Sequence, residues 1–328
     1  MPELKVDRDG QGLRLDRFLL KALPRMPKGH VYKLLRTRKV RVNGKRAKGD
    51  HQLAAGDRVL LHMPAERFEH DTRRPLRAAR SLDFGVVFED AHLLVVSKPP
   101  FLPVHPGAGH RDNSLIDQVH AYLEVQDRPG AFRPALAHRI DRDTSGLLLI
   151  GKQAEALREL SAMIKRGAVH KRYLALAAGR PRPPQGVWNL DVQRRDVPGA
   201  RRRPDAERRR SSAGRTAYRV AATRQLRLSK RDRQPFSLLV LELLTGRTHQ
   251  IRSHLDQMGH PLAGDRRYGD RDLNRVLRER FALQRQFLHA FRLQLDHPVT
   301  GNPLRLVSPY PPDLEPLAHK LKLGVPEA

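Results

Sequence analysis

Between Phe84 and about Lys322 the chain repeats one device, a short apolar run followed by a turn signal. The runs are Gly85 to Phe88, Leu93 to Val96, Leu147 to Ile150, Tyr173 to Ala177, Leu238 to Leu244 and Phe291 to Leu295. Runs of this length bounded by turn residues read as strands, and the segments between them leave room for helices. A sheet-based α+β domain over residues 83–322 is therefore expected. At 328 residues the chain should hold about two domains. The second must lie ahead of the sheet.

Leu13 to His62 reads as that smaller unit. Leu15, Phe18, Leu19, Ala22 and Leu23 recur at helical spacing, and Val31, Leu34 and Leu35 begin a second helix. Val40 and Val42 lead into Asn43-Gly44, a pair suited to a tight hairpin, and Ala55-Gly56-Asp57 turns the chain before Val59 to Leu61. Lys33, Arg36, Lys39 and Arg41 fall on the second helix and the hairpin with few acids between them, which predicts a phosphate-binding face. Residues 63–82 are polar, Arg-rich and without sustained periodicity, and read as a linker.

Charge narrows the function classes. The chain carries 63 Lys and Arg against 35 Asp and Glu, a formal net charge of +28. Such an excess calls for a polyanion, with nucleic acid ahead of an acidic membrane surface. There is no cysteine, which excludes disulfides, thiolate metal centres, iron–sulfur clusters and a thiol nucleophile. No metal and no redox cofactor is expected. No run approaches 18 uninterrupted apolar residues, and the opening MPELKVDRDG lacks the apolar core of a signal peptide. The expected address is the cytoplasm, with no membrane partner and a monomeric state. Residues 180–215 are dense in Arg and nearly devoid of apolar side chains, so they are expected to form a basic loop insert in the larger domain.

Two polar clusters could carry chemistry. The first, HRIDRDTSG from His138 to Gly146, sits between apolar flanks and gathers His138, Arg139, Asp141, Arg142 and Asp143 in one loop. Either carboxylate could serve, and a merely salt-bridged surface loop would look the same. In the second, the run Leu238 to Leu244 leads into TGRTHQIRSHL. Here Thr248 reads as the N-cap of a helix with Ile251, Leu255 and Met258 on its apolar face and Gly259 as its stop. His249, Gln250, Arg252 and Ser253 then occupy the other faces. An ordinary capped helix does not explain Arg247, His249 and Arg252 crowding a start that favours acids.

These strings resemble known motifs. LRLDRFL, KLLRTRKVRVNG and LAAGDRV resemble the RNA-binding module named after ribosomal protein S4, also called the αL motif. HRIDRDTSGLLLIGK, KRYLALAAG, LLTGRTHQIRSHL, GHPLAGDRRYG and LHAFRLQLDHPVTG resemble the successive motifs of the RluA-class RNA pseudouridine synthases, with VVSKPPFLPVHPG as the opening strand and turn. The likeness spans nearly the whole chain and is greatest to the RluC-type branch that acts on 23S ribosomal RNA. It implies a mixed, largely antiparallel sheet with flanking helices behind the αL module, and isomerisation of specific uridines to pseudouridine.

By the same resemblance Asp141, rather than Asp143, is the catalytic aspartate, Arg252 its ion-pair partner with Arg247 as runner-up, and Tyr173 the tyrosine that stacks on the target base. Arg139 enters the RNA as the uridine leaves its stack, and His138, Arg142, Arg247 and His249 contact RNA beside it. The Ser97-Lys98-Pro99 variation is expected to lie away from the chemistry. No electrons are gained or lost, so no cofactor is needed. Two other readings stay open: a non-catalytic rRNA-binding or assembly factor, and an RNA-cleaving enzyme using His138, His249 or His254.

Overall fold

The computed structural model describes residues 1–72, 81–106, 113–125, 132–192, 213–229 and 232–326. The N-terminal unit runs β1 (Glu3–Lys5), α1 (Leu15–Ala22), α2 (Lys28–Arg36), β2 (Val40–Val42), β3 (Lys45–Arg46) and β4 (Arg58–Leu61), with strand order β1-β4-β2-β3. Its helices form where the sequence predicts them, because Leu15, Phe18, Leu19, Val31 and Leu34 share one buried cluster with Val40, Val42, Val59 and Leu61. Asn43 and Gly44 both take positive φ, 50° and 76°, the backbone a two-residue hairpin turn requires. Lys33, Arg36, Lys39 and Arg41 are all exposed.

Two features here depart from expectation. β1, outside the predicted span, closes the sheet against β4. The predicted linker begins with a helix, α3 (Ala65–Thr72), which folds back so that Phe68 packs on the small core and the Asp71 carbonyl accepts the Arg25 N–H. One buried aromatic in an otherwise polar stretch is too little to give a visible period.

The larger unit comprises β5 (Gly85–Glu89), β6 (Leu93–Lys98), α4 (Leu115–Tyr122), β7 (Ala135–Leu136), β8 (Ser145–Gly151), α5 (Ala154–Lys165), β9 (His170–Ala178), β10 (Gln185–Asp191), β11 (Ala213–Arg227), β12 (Arg233–Leu243), α6 (Gln250–Gln257), α7 (Arg271–Phe281), β13 (Leu288–Asp296), β14 (Pro303–Val307) and α8 (Glu315–Lys320). One sheet runs β10-β11-β12-β9-β13-β8-β6-β5, with β14 on β13 and β7 on β8. All its pairings are antiparallel except β13 with β8. Among the described residues, no helix is long and apolar enough to cross a membrane.

The central strands read as unbroken apolar runs because both of their faces are covered. Along β9, Tyr173, Ala175 and Ala177 join the cluster that includes Ile251 and Leu255 of α6, whereas Leu174, Leu176 and Ala178 join the cluster beneath α7 and α8. Alternation thus delivers Tyr173 to the α6 side of the sheet. Part of the expected basic loop is also sheet: β10 and the start of β11 pair through Trp188 and Thr216, and Trp188 stacks on Tyr218 at 4.1 Å. The Arg-rich middle of that segment, 193–212, lies outside the described residues.

The parallel contact between β8 and β13 is where the polar loop from His138 meets the sheet. Gly146 sits there at φ 114° opposite Ala290, and a Cβ on it would fall 2.2 Å from the Ala290 carbonyl oxygen. Gly146→Ala should therefore cost about 3 kcal/mol or more of stability, since backbone strain and steric displacement add. Urea unfolding of the two proteins reads the difference, and equal midpoints would refute the constraint.

Candidate active site

Three elements converge on one cleft. The loop before β8 turns at Asp141, whose carbonyl accepts the Thr144 N–H at 3.1 Å. β9 supplies Tyr173, held between Leu241 and Ala290 of its neighbouring strands. α6 supplies Arg252, 8% exposed, whose Nη1 donates to Asp141 Oδ2 at 2.9 Å. The other edge of the same guanidinium is taken by Asp265: Nε donates to Oδ2 at 2.6 Å and Nη2 to Oδ1 at 2.9 Å. Asp265 is fully buried and also accepts the backbone N–H groups of Arg267 and Tyr268. A bidentate pair of this kind fixes the plane of the guanidinium and so fixes where its remaining N–H groups point.

The electrostatics follow from burial and pairing. Burial works to raise the Asp265 carboxyl but is outweighed by Arg252 and the two backbone donors, which leave it below its ordinary value. Burial likewise opposes the Arg252 charge, and Asp265 and Asp141 together hold that group well above its usual range. Burial, then the Asp141 carboxylate, raise the Tyr173 phenol, so it keeps its proton. His249 stands with Nε2 3.9 Å from Asp141 Oδ2 and Nδ1 3.3 Å from the Tyr268 hydroxyl, and burial lowers its proton affinity.

A cavity of about 50 Å³ lies over Asp141, Tyr173 and Arg252. A wider cleft of about 350 Å³ adjoins it, and the two share Arg139, Asp141, Tyr173, Leu243 and Arg247. The site is thus one carboxylate facing a protonated phenol and a locked guanidinium, with further cations at its mouth.

Residues 92–257 match the family model described as RNA pseudouridylate synthase, and residues 13–59 match the S4 domain. The chain is 37% identical over 324 residues to the ribosomal large subunit pseudouridine synthase C of Escherichia coli K12, covering 97% of this chain and 95% of that one. The protein of the same description from Vibrio cholerae is 35% identical over 323 residues, covering 97% and 96%. This chain belongs to the RNA pseudouridylate synthase family. Among solved structures, human RNA pseudouridylate synthase domain containing 1 aligns with a TM-score of 0.53 and 26% identity, over 70% of this chain and 85% of that one.

This synthase holds its polar loop from behind with two buried cations. Lys98, 1% exposed at the end of β6, donates from Nζ to the carbonyl oxygens of Pro99, Leu102 and Arg142 at 2.7, 2.9 and 2.9 Å. Arg285, equally buried, donates to the Asp143 carbonyl and to Ser145 Oγ while Asp313 takes its Nε and Nη2. The variant residue of the Ser97-Lys98-Pro99 segment, Ser97, bonds Ser308 Oγ at 2.8 Å, whereas the neighbouring Lys98 grips the residue after Asp141.

Six of the eight residues predicted in the larger domain line the cavity: Asp141, Tyr173, Arg252, Arg139, Arg247 and His249. Arg247 is exposed at the rim, and the partner of Asp141 is Arg252. Arg142 instead pairs with Asp143 at 2.7 Å, which separates the two carboxylates of the loop by environment. His138 lines the wider cleft, where its Nε2 accepts the Leu149 N–H, and burial, with Lys171 nearby, drives it down to about 3. His254 is buried against the Leu190 carbonyl, which removes one of the three candidate imidazoles for an RNA-cleaving site.

The α6 start also differs from its prediction. His249, in a left-handed conformation, occupies the cap position, and the side chain of Gln250, not Thr248, ties the turn by accepting from Thr245 Oγ1 and the Arg247 N–H. Gln250 and Ser253 are buried because the β10–β11 hairpin covers that flank, and Met258 is exposed. Asp265 and Lys98 lie within the GHPLAGDRRYG and VVSKPPFLPVHPG strings, which give them no role by themselves, and Arg285 lies outside every such string.

Burial, then the nearby Arg285 charge, pull Lys98 down to about 7 from its ordinary 10.5. Between those pH values the unfolded chain binds this proton more tightly than the folded one, so folding stability rises with pH through the window, by up to roughly 1.4 kcal/mol per pH unit. Below pH 7 the group is charged in both states and its burial cost is fully present. Lys98→Met lacks this dependence. The stability difference between wild type and Lys98→Met should therefore shift in favour of wild type from pH 7 to 9, and a constant difference would refute the assignment.

Proposed function

We propose that this synthase isomerises uridines of large-subunit ribosomal RNA, in the cytoplasm and as a single chain, with Asp141 as the catalytic carboxylate. The observation that carries the reading is the 2.9 Å bond from Arg252 Nη1 to Asp141 Oδ2, made by a guanidinium already locked to Asp265. A guanidinium locked in this way holds a fixed positive charge against the carboxylate and orients it toward the cavity. Cleaving the glycosidic bond, turning the base and joining C5 to the sugar needs one such group and no cofactor. Tyr173, protonated and lining the same cavity as Asp141, lies against the flat face of the uracil. Arg139 and Arg247 at the mouth meet the phosphates and fill the space the extruded nucleotide leaves.

The small N-terminal unit, residues 13–62, supplies a second grip. Lys33, Arg36, Lys39 and Arg41 present a cationic face with no role in the N-terminal core, as an RNA-positioning surface should. The substrate reading rests on the large-subunit specificity in the names of the relatives, which this chain matches over nearly their whole length.

Incubation with large-subunit rRNA tritiated at uridine C5 tests the chemistry. Wild type should release tritium and Asp141→Asn should release none while still binding. Strand scission, or tight binding by wild type with all label retained, would overturn it. Neutralising Lys33, Arg36 and Lys39 should flatten the salt dependence of binding, each phosphate left without its cation lowering the slope by about 0.7 on single strands or about 0.9 on duplex. An unchanged slope would remove that face from the interface.

A further inference from the structure

Beyond β6 the chain from Pro99 to Pro106 runs past the catalytic loop with its two faces divided. Leu102 and Val104 point into the main core, whereas Phe101 and His105 point outward. Phe101 adopts φ 65°, a left-handed backbone that bulky side chains rarely hold. Its ring is nonetheless 49% exposed, so core packing does not compensate the strain. The conformation is imposed from the flanks: the carbonyls of Pro99 and Leu102 both accept from Lys98 Nζ, the same ammonium that holds the Arg142 carbonyl beside Asp141. Strain kept in place by its surroundings points to use at that spot.

The neighbourhood identifies the use. The ammonium shared by the Pro99, Leu102 and Arg142 carbonyls fastens this segment to the loop that carries Arg139, and the charge of Arg139, after burial, depresses His105. Arg139 is itself exposed. An outward aromatic on a segment fastened to a loop with an exposed arginine, on a chain of net charge +28, suits single-stranded nucleic acid, with the base on the ring and the phosphate on the charge. A protein partner would need a contiguous apolar patch, whereas the outward residues that follow Phe101 among the described ones are Pro103, His105 and Pro106.

We propose that Phe101 is a stacking platform for an unpaired nucleobase next to the target uridine, with Arg139 taking the adjoining phosphate. This rests on the cleft receiving an RNA uridine. It adds a residue that grips the strand outside the reacting nucleotide and, because every base has a π-face, does so without reading its identity.

The test uses the full chain in an Asp141→Asn background, which prevents turnover, and a fluorescein-labelled rRNA hairpin with the target uridine in its loop. Phe101→Gly should weaken binding roughly tenfold, while its melting temperature stays equal or rises because glycine holds φ 65° without strain. Phe101→Tyr should keep the affinity within about twofold. Wild-type affinity in Phe101→Gly would overturn the proposal, as would a lowered melting temperature with unchanged affinity, which would make Phe101 a packing residue. If the Asp141→Asn protein binds no such hairpin, the substrate reading falls and this inference with it. Binding that is indifferent to residue 101 removes this inference alone.

Discussion

The site depends on the clamp between Arg252 and Asp265. A guanidinium this deeply buried carries a large desolvation cost unless both of its edges are occupied, and Asp265 takes one edge with two bonds of 2.6 and 2.9 Å. Of the three N–H groups that remain, one on Nη1 points at Asp141. The charge available to the loop carboxylate is therefore set in position before any RNA arrives. Two carboxylates share one guanidinium, leaving the trio with a net negative charge that the exposed arginines at the mouth offset in the long range.

Around that clamp the sheet supplies rigidity of a specific kind. The loop carrying Asp141 is polar and would be mobile if held only by its ends, but its backbone carbonyls are gripped from behind. Lys98 takes the Arg142 carbonyl and Arg285 takes that of Asp143. Both cations sit near the start of the interior seam where β8 and β13 run parallel, and Gly146 lets the two backbones close there. Side chains in front of the loop are thus free to meet substrate, while the main chain behind it does not move. On the far flank, the β10–β11 hairpin locks α6 through Gln250 and His254, so Arg252 is borne by a helix pinned on two sides.

Much of this is legible in the residues. Doubly buried strands announce themselves as continuous apolar runs, so β6, β8, β9, β12 and β13 can be located, and Asn43-Gly44 fixes a hairpin. Asp141, Tyr173 and Arg252 are legible through motif likeness, and their meeting in one cleft agrees with it. What stays hidden are groups whose meaning is a contact across the fold. Asp265 looks like a turn aspartate until Arg252 is placed against it, and Lys98 looks like a surface lysine until three carbonyls surround it. β10 and β11 are obscured because an edge hairpin alternates weakly and its sequence is dominated by charge. The helix cap differs from its prediction for a related reason: a long glutamine folding back on the preceding turn satisfies the same groups as a threonine would.

Sharing one guanidinium between two acids also constrains how such a chain can drift over generations. Lysine in place of Arg252 could not span both carboxylates, since an ammonium lacks the planar fork. Loss of Asp265 would free the arginine to rotate, and loss of Arg252 would strand two anions in a dry interior. Positions 141, 252 and 265 therefore form an inherited unit in which no member has a tolerable single-step replacement. His249, with looser contacts at 3.3 and 3.9 Å, lies outside that lock and is where sequence variation can enter the site.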